Sequence, residues 1–277
     1  MSRSPFARVS VVDQVESTNT MLREAATAAP AAWPHLSVLV AEHQTAGRGR
    51  SGRSWSTPRG SALTASILVR PDVPPHRLPW LTLLTGLAVV RALDSPRIGL
   101  KWPNDLLVVD AGPHLSGWGT ARKVGGILTE ALPAPQPTAV IGLGLNLTQT
   151  AADLPVPTAT SLAAAGLPAP SRDDLLTAVG QQLARMLPRW EAADGDAAAA
   201  GLLAELSAAC LTLGSPVRVD RPAGDPLIGT ATAIDSDGQL IVTDANNQQH
   251  AVVAGDVWHV RDNGPGASGA VGANLSQ

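Results

Sequence analysis

The apolar positions of this chain change period several times, and each change marks an element. Val9–Val12 is a short apolar run of strand length. Met21, Leu22, Ala25 and Ala26 then recur at helical spacing behind Ser17, Thr18 and Asn19, any of which can cap a helix, and Pro30 and Pro34 stop it. Val38–Ala41 and Ala62–Arg70 return as strands. A proline-rich connection from Pro71 to Pro79 leads into Trp80–Leu93, which is apolar nearly all round and so predicts a buried helix. Ile98–Trp102 and Leu106–Val109 flank a turn at Pro103-Asn104. Residues 110–122, polar and rich in glycine, predict an exposed hairpin loop. Lys123–Leu132 and Thr138–Leu147 predict two more strands, and 148–170 predicts coil. Ser171 opens a capping box ahead of a helical stripe formed by Leu175, Leu176, Val179, Leu183, Met186 and Leu187. A last helical stretch is predicted over Leu202–Leu211, which puts Cys210 inside an apolar helix as a buried, inert thiol.

The character changes at Gly214. From Ser215 to Arg261 the chain reads as short strands and tight turns, with Asp237-Gly238 and Asn246-Asn247 as the turn signals. So few residues of β character are marginal alone, so this unit is expected to lean on the larger one. The expected division is 1–213, 214–262 and a disordered tail over 263–277.

Composition narrows the class. The 277 residues are 44% hydrophobic and 16% charged, which suits a packed core. A net charge of −3 disfavours a dedicated nucleic-acid binder. One cysteine cannot form an intrachain disulfide, and no apolar run has signal-peptide or membrane-spanning length. The expectation is a cytoplasmic protein with no membrane partner.

Against this low charge, Gly47-Arg48-Gly49-Arg50-Ser51-Gly52-Arg53 is the densest cation cluster, placed between a strand and Trp55. Glycine allows close backbone approach, and arginine presents a permanent planar fork to carboxylate or phosphate. The cluster reads either as a loop closing over an anion or as a solvated loop touching nucleic-acid backbone. Lys101 sits in an apolar strand pattern between Leu100 and Trp102, ahead of Pro103-Asn104-Asp105. Such a lysine either snorkels to the surface or meets an anionic ligand in a pocket. Lys123-Val124-Gly125-Gly126 and Gly142-Leu143-Gly144-Leu145-Asn146 place glycines inside apolar strands, which marks tight sheet packing or close approach of a ligand. Ser17-Thr18-Asn19 reads as a helix cap or as a set of hydrogen-bonding groups for a small polar ligand. His43, beside Gln44, has no evident partner and reads as structural.

Taken in order, Ser17-Thr18-Asn19, AEHQTAGRGRSGRSW (41–55), KWPND (101–105), KVGGIL (123–128) and GLGLNL (142–147) resemble the ordered signatures of the biotin protein ligases. The resemblance covers roughly residues 9–261. It implies an α+β catalytic domain, a mixed sheet flanked by helices like that of class II aminoacyl-tRNA synthetases, followed by a small SH3-like β-barrel. It implies ATP, Mg²⁺ and biotin as ligands, with Mg²⁺ carried mainly by the nucleotide, and the biotin carboxyl carrier domain of a carboxylase as partner. By matching position, Ser17, Thr18, Asn19, Gln44, Arg48, Gly49, Arg50, Lys101, Gly125 and Gly126 would hold biotin. Arg48, Arg50, Arg53, Trp55, Asn104, Lys123 and Asn146 would face the nucleotide. Lys101 and Arg50 would be catalytic, with Asp105 as candidate base for transfer. Some members of the family carry an N-terminal DNA-binding domain. The 16 residues before Ser17 are too few for one, so the expectation is a monofunctional ligase that binds no DNA. The stretch from Asp105 to Lys123 is longer than the family pattern, with Gly112, Pro113, Gly117 and Gly119 forming an extended tip. Lipoate–protein ligases share the fold and are the nearest alternative.

Overall fold

The computed structural model describes residues 4–116, 118–220, 225–253 and 256–259, so the tail expected over 263–277 lies outside the described residues. The chain opens with strand β1 (Arg8–Val15), helix α1 (Thr18–Ala28) and strand β2 (Ser37–Gln44). A hairpin of two short strands, β3 (Gly47–Arg48) and β4 (Ser54–Trp55), follows. Then come β5 (Ala62–Val69), α2 (Trp80–Leu93), β6 (Ile98–Lys101), β7 (Asp105–Val108), β8 (Arg122–Leu132) and β9 (Thr138–Asn146). Helices α3 (Arg172–Glu191) and α4 (Leu202–Ala209) complete this part.

Seven strands form one sheet in the order β1-β2-β5-β9-β8-β7-β6. β1 and β2 pair in parallel through the α1 crossover, and the other pairs are antiparallel. The sheet is therefore mixed, as expected. Its faces are separated by the two-residue period of the strands. Val38, Ile67, Ile141 and Leu143 share a core with α2, α3 and α4 through residues such as Leu84, Val179 and Leu206. Leu39, Leu68 and Val140 pack instead with Leu22 and Ala26 of α1 and with Trp33. A strand covered on both faces reads as a continuous apolar run rather than an alternation, which explains the sequence of β5, buried at all its positions. Each fully buried Leu or Ile there contributes about 1.5–3 kcal/mol.

Five strands, β10 (Pro216–Asp220), β11 (Leu227–Ile234), β12 (Leu240–Thr243), β13 (Gln249–Val252) and β14 (Asp256–His259), form an antiparallel sheet in the order β13-β12-β11-β10-β14. Its β11–β12 turn leans on the start of α2 and on the β6–β7 turn. The Trp80 indole donates to the Ser236 carbonyl at 2.8 Å, and the Trp102 indole donates to the Gly238 carbonyl at 2.9 Å. Gly238 has φ +78°, a conformation that favours glycine.

Two expectations are corrected. The helix predicted to Leu211 stops at Ala209, and Cys210 is extended, with φ −92° and ψ 108°. The chain leaves the helix because residues 210–212 dock on the sheet edge, where the Leu211 N–H donates to the Leu100 carbonyl at 2.8 Å. Cys210 is still buried, and that burial pushes its thiol above the usual range. The 110–122 stretch does connect the antiparallel neighbours β7 and β8 as a hairpin, but its end is buried rather than exposed. Arg122 is buried, and its guanidinium donates to the carbonyls of Gly119 at 3.1 Å and Ala121 at 2.8 Å, and to that of Pro113. A buried cation must be fully hydrogen-bonded, so the loop wraps its carbonyls around it.

Candidate active site

The site lies on the α1 face of the sheet, where three neighbouring strands trade bulk for polarity. On β9 this face carries Val140, then Gly142 and Gly144. Across from Gly142 stand Ser66 of β5 and Leu128 of β8. Across from Val140 and Gly144 on β8 stand Glu130 and Gly126. The glycines make room for side chains that descend from above. A Cβ on Gly142 would lie 2.5 Å from Asn19 Oδ1, and one on Gly144 would lie 2.6 Å from the Trp55 ring.

Ser17 caps α1, accepting from the Thr20 N–H at 3.4 Å, as its sequence position predicts. The first turn of that helix is then tied down by polar contacts. The Thr18 N–H and hydroxyl donate to Gln44 Oε1 at 2.7 and 2.9 Å. The Asn19 amide donates to the Leu128 carbonyl at 3.1 Å and to Glu130 Oε2 at 2.7 Å. Ser66 Oγ lies 2.6 Å from Asn19 Oδ1 and 2.8 Å from Thr18 Oγ1. Ser17, Thr18, Asn19 and Gln44 are thus brought together and buried. Sequence reasoning missed Ser66 and Glu130. The available signal for Ser66 was a second hydroxyl, after Thr64, inside an apolar strand pattern.

Above this cluster, the Gly/Arg segment is a hairpin rather than a featureless loop. Gly47 pairs with Trp55 and Arg48 with Ser54, and the Gly49 N–H donates to the Arg53 carbonyl at 2.7 Å. Ser51 takes φ +55° at its tip. Arg48, Gly49, Arg50, Ser51 and Gly52 line one side of a cleft of about 650 Å³, and Leu128 and Glu130 line the other. Glu130 lines the cleft and also accepts from Asn19, so one side chain links the cleft wall to the polar cluster. Trp55 lies over Gly144, and its indole Nε1 is buried with no hydrogen-bond partner.

The 101–105 segment is the tip of the β6–β7 hairpin, in which Lys101 and Asp105 are paired. Arg50 donates to Asn104 Oδ1 at 3.2 Å, while Asn104 Nδ2 donates to the Ile127 carbonyl at 2.9 Å. Asn104 therefore couples the Arg-rich hairpin to β8. Asp105 Oδ1 pairs with Lys123 Nζ at 2.6 Å. Lys101 Nζ lies over the rings of Trp118, at 5.0 Å, and Trp258, at 5.7 Å. The close neighbours of Gly125 are protein: a Cβ there would lie 2.6 Å from Leu145 and 2.7 Å from the Gly144 carbonyl. Gly126 sits beside the Lys123 side chain, 3.4 Å from where its Cβ would be. Asn146 is buried, donates to the Thr160 carbonyl at 2.9 Å and accepts from Gln149 at 2.8 Å, so its amide fastens the segment after β9. Arg53 belongs to the same hairpin and is also engaged in contacts. His43 is in β2, and its Nδ1 is buried with no hydrogen-bond partner. Among the described residues, no group of three or more His, Cys, Asp or Glu side chains could hold a metal ion, and no helix is long and apolar enough to cross a membrane.

The arrangement matches known proteins. Residues 11–146 match the biotin/lipoate A/B protein ligase family, and residues 212–260 match the biotin protein ligase C-terminal domain. The chain is 38% identical over 265 residues to the biotin–[acetyl-CoA-carboxylase] ligase of Mycobacterium tuberculosis, covering 93% of this chain and 91% of that one. It is 38% identical over 94 residues to the bifunctional ligase/repressor of Escherichia coli, covering 33% of this chain and 26% of that one. The biotin protein ligase of Aquifex aeolicus, solved in complex with biotin and ATP, superposes with a TM-score of 0.68 at 23% identity, covering 91% of this chain and 98% of that one, which shows the shared fold. With a family match over the site-bearing sheet, a second over the C-terminal strands, and a relative similar along nearly its whole length, this chain belongs to the biotin protein ligase family.

Proposed function

We propose that the protein joins the carboxylate of biotin to ATP and then passes the biotinyl group to one lysine of a biotin carboxyl carrier domain. In the first step a carboxylate oxygen attacks the α-phosphorus, the bond to the pyrophosphate oxygen breaks, and biotinyl-5′-AMP remains. In the second, the lysine ε-amine attacks the acyl carbon, AMP leaves, and the amine loses a proton.

The observation that carries this reading is the cleft between the Arg48–Gly52 tip and Leu128/Glu130, whose Glu130 is bonded to Asn19 of the buried Ser17–Asn19 cluster. A carboxylate is already ionised near neutral pH and needs no base to attack. The obstacle is repulsion between two anions and the charge that grows on the leaving pyrophosphate. Fixed cations aimed at that charge remove it. Arg48, Arg50, Arg53 and Lys101 supply them. Thr18, Asn19 and Gln44 present amide and hydroxyl groups in a dry setting, suited to the polar ring of biotin. Trp55 offers an apolar face and a buried N–H without a partner. Asn104 holds the hairpin over the cleft, and Asp105 and Lys123 form a pair beneath it. Asn146 supports the floor from behind.

We assign Mg²⁺ to the phosphates of the incoming nucleotide, as part of the substrate. We place the catalytic unit at 1–213 and the supporting β unit at 214–262, and we assign the reaction to the reducing cytoplasm, where a free Cys210 is at home.

The test is isotope exchange between pyrophosphate and ATP, with biotin or lipoate as the acid. Exchange that requires biotin is the expected result. Exchange with lipoate and none with biotin would move the protein to the other branch of the fold. Steep salt-sensitive binding to nucleic acid without exchange would return the Arg-rich hairpin to a backbone-contact role.

A further inference from the structure

Two segments outside the site motifs converge on one atom. Lys101 Nζ lies 5.0 Å from the centroid of the Trp118 ring and 5.7 Å from that of Trp258. Both are within the ~6 Å over which an ammonium is attracted by the face of an indole. Trp118 comes from the long β7–β8 connection, and Trp258 comes from β14 of the C-terminal sheet.

The segments that carry the rings are themselves held in place. The Trp118 backbone N–H donates to the Leu115 carbonyl at 3.0 Å, and Leu115 and Gly119 exchange backbone bonds of 2.9 and 2.8 Å, which fixes the turn from which the Trp118 ring projects. Buried Arg122 gathers the carbonyls of Pro113, Gly119 and Ala121 beneath that turn. The Trp258 indole donates to Asp220 Oδ2 at 2.9 Å, and Asp220 Oδ1 accepts from Arg218 Nε at 3.0 Å. Trp258 is 40% exposed, so core packing does not account for its place. A lysine carries a flexible four-carbon stem, and a catalytic cation is effective only where it is pre-oriented.

We infer that Trp118 and Trp258 are positioning residues for Lys101: their faces hold its ammonium, so that the β7–β8 connection and the C-terminal sheet both set the aim of the catalytic cation. This rests on the reading of Lys101 as the cation of the adenylation step. It gives the long connection a purpose, because the connection delivers one of the two rings.

The test compares Trp118→Leu and Trp258→Leu with Trp118→Phe and Trp258→Phe, because phenylalanine keeps an aromatic face and leucine does not. Two quantities are read: the maximal rate of biotin-dependent pyrophosphate exchange, and the rate at which an amine-acylating reagent modifies Lys101 in the protein without substrates, located by mass spectrometry. Each leucine variant is expected to slow exchange roughly three- to tenfold and to speed acylation of Lys101 by a similar factor, while the phenylalanine variants stay near wild type. Leucine and phenylalanine variants that behave alike in both measurements overturn the inference. Acylation needs neither biotin nor ATP. A wild-type protein inactive in exchange would count against the proposed function, while the labelling rates would still decide the role of the two rings.

Discussion

Arg50 donates to the side-chain carbonyl of Asn104 across 3.2 Å, although 54 positions separate them in the chain. The bond ties the tip of the Arg-rich hairpin to the turn that follows Lys101. Asn104 in turn donates to the backbone of β8, so the hairpin is anchored to the sheet rather than to solvent. A charged hydrogen bond of this kind is worth about 1.5–3 kcal/mol.

Replacing Arg50 by glycine removes the donor and frees the hairpin. Adenylate should still form, and it should escape into solution at least ~10-fold faster, equivalent to about 1.4 kcal/mol of lost retention. Free biotinyl-adenylate in the medium, together with protease sensitivity of residues 47–55 in biotin and MgATP, reads the effect. Retention equal to wild type defeats the closing role of the hairpin.

Lys101→Ala removes the cation at the end of β6. We expect adenylate formation to fall by at least ~10²-fold, or about 2.7 kcal/mol of transition-state stabilisation. Pyrophosphate exchange measures this step by itself. A normal exchange rate would exclude Lys101 from the chemistry.

Gly142→Ala places a methyl group 2.5 Å from Asn19 Oδ1. Asn19 must move, and its bonds to Leu128, Glu130 and Ser66 go with it. Overpacking of this kind costs about 1–3 kcal/mol. Thermal unfolding should show that loss, and the KM for biotin should rise roughly tenfold while the KM for ATP changes less. Unchanged biotin kinetics would separate Asn19 from the biotin end of the site.

Asp105 pairs with Lys123 at 2.6 Å, which competes with its candidate role as a base. If it is a base, Asp105→Ala should slow transfer from isolated biotinyl-adenylate to the carrier. If it serves only the pair, transfer should be unchanged, and a double-mutant cycle with Lys123→Ala should return a stability coupling of about 1 kcal/mol. We expect the second outcome, because the partner is already in place without substrate.

Local reading recovered the elements with a clear period. Trp80–Leu93 is a helix over the predicted residues, and the Asp237-Gly238 and Asn246-Asn247 turns both join neighbouring antiparallel strands. It failed at Cys210, where a helical composition lost to a backbone bond with Leu100, a partner 110 positions away. At 110–122 it recovered a hairpin connection between antiparallel strands but not its buried end, because nothing local announces that Arg122 is buried. Asn146 and Gly125 stand in motifs, yet their tight contacts are with neighbouring strands and the segment after β9, and only the packing reveals that.

What the sequence by itself determined is the set of parts: the cap at Ser17, the glycine and arginine alternation of 47–53, the lysine at 101, and strands whose period places glycines on one face of β9. These depend on neighbours a few residues apart, and local sterics and hydrogen bonding are enough to specify them. The tertiary structure decided which parts meet. Ser66 and Glu130 close the polar cluster, Asn104 receives Arg50, Asp105 takes Lys123, and two tryptophans from distant segments face Lys101. Those pairings follow from strand order and register, which arise when the whole sheet buries its two faces at once. That global requirement leaves no local signature.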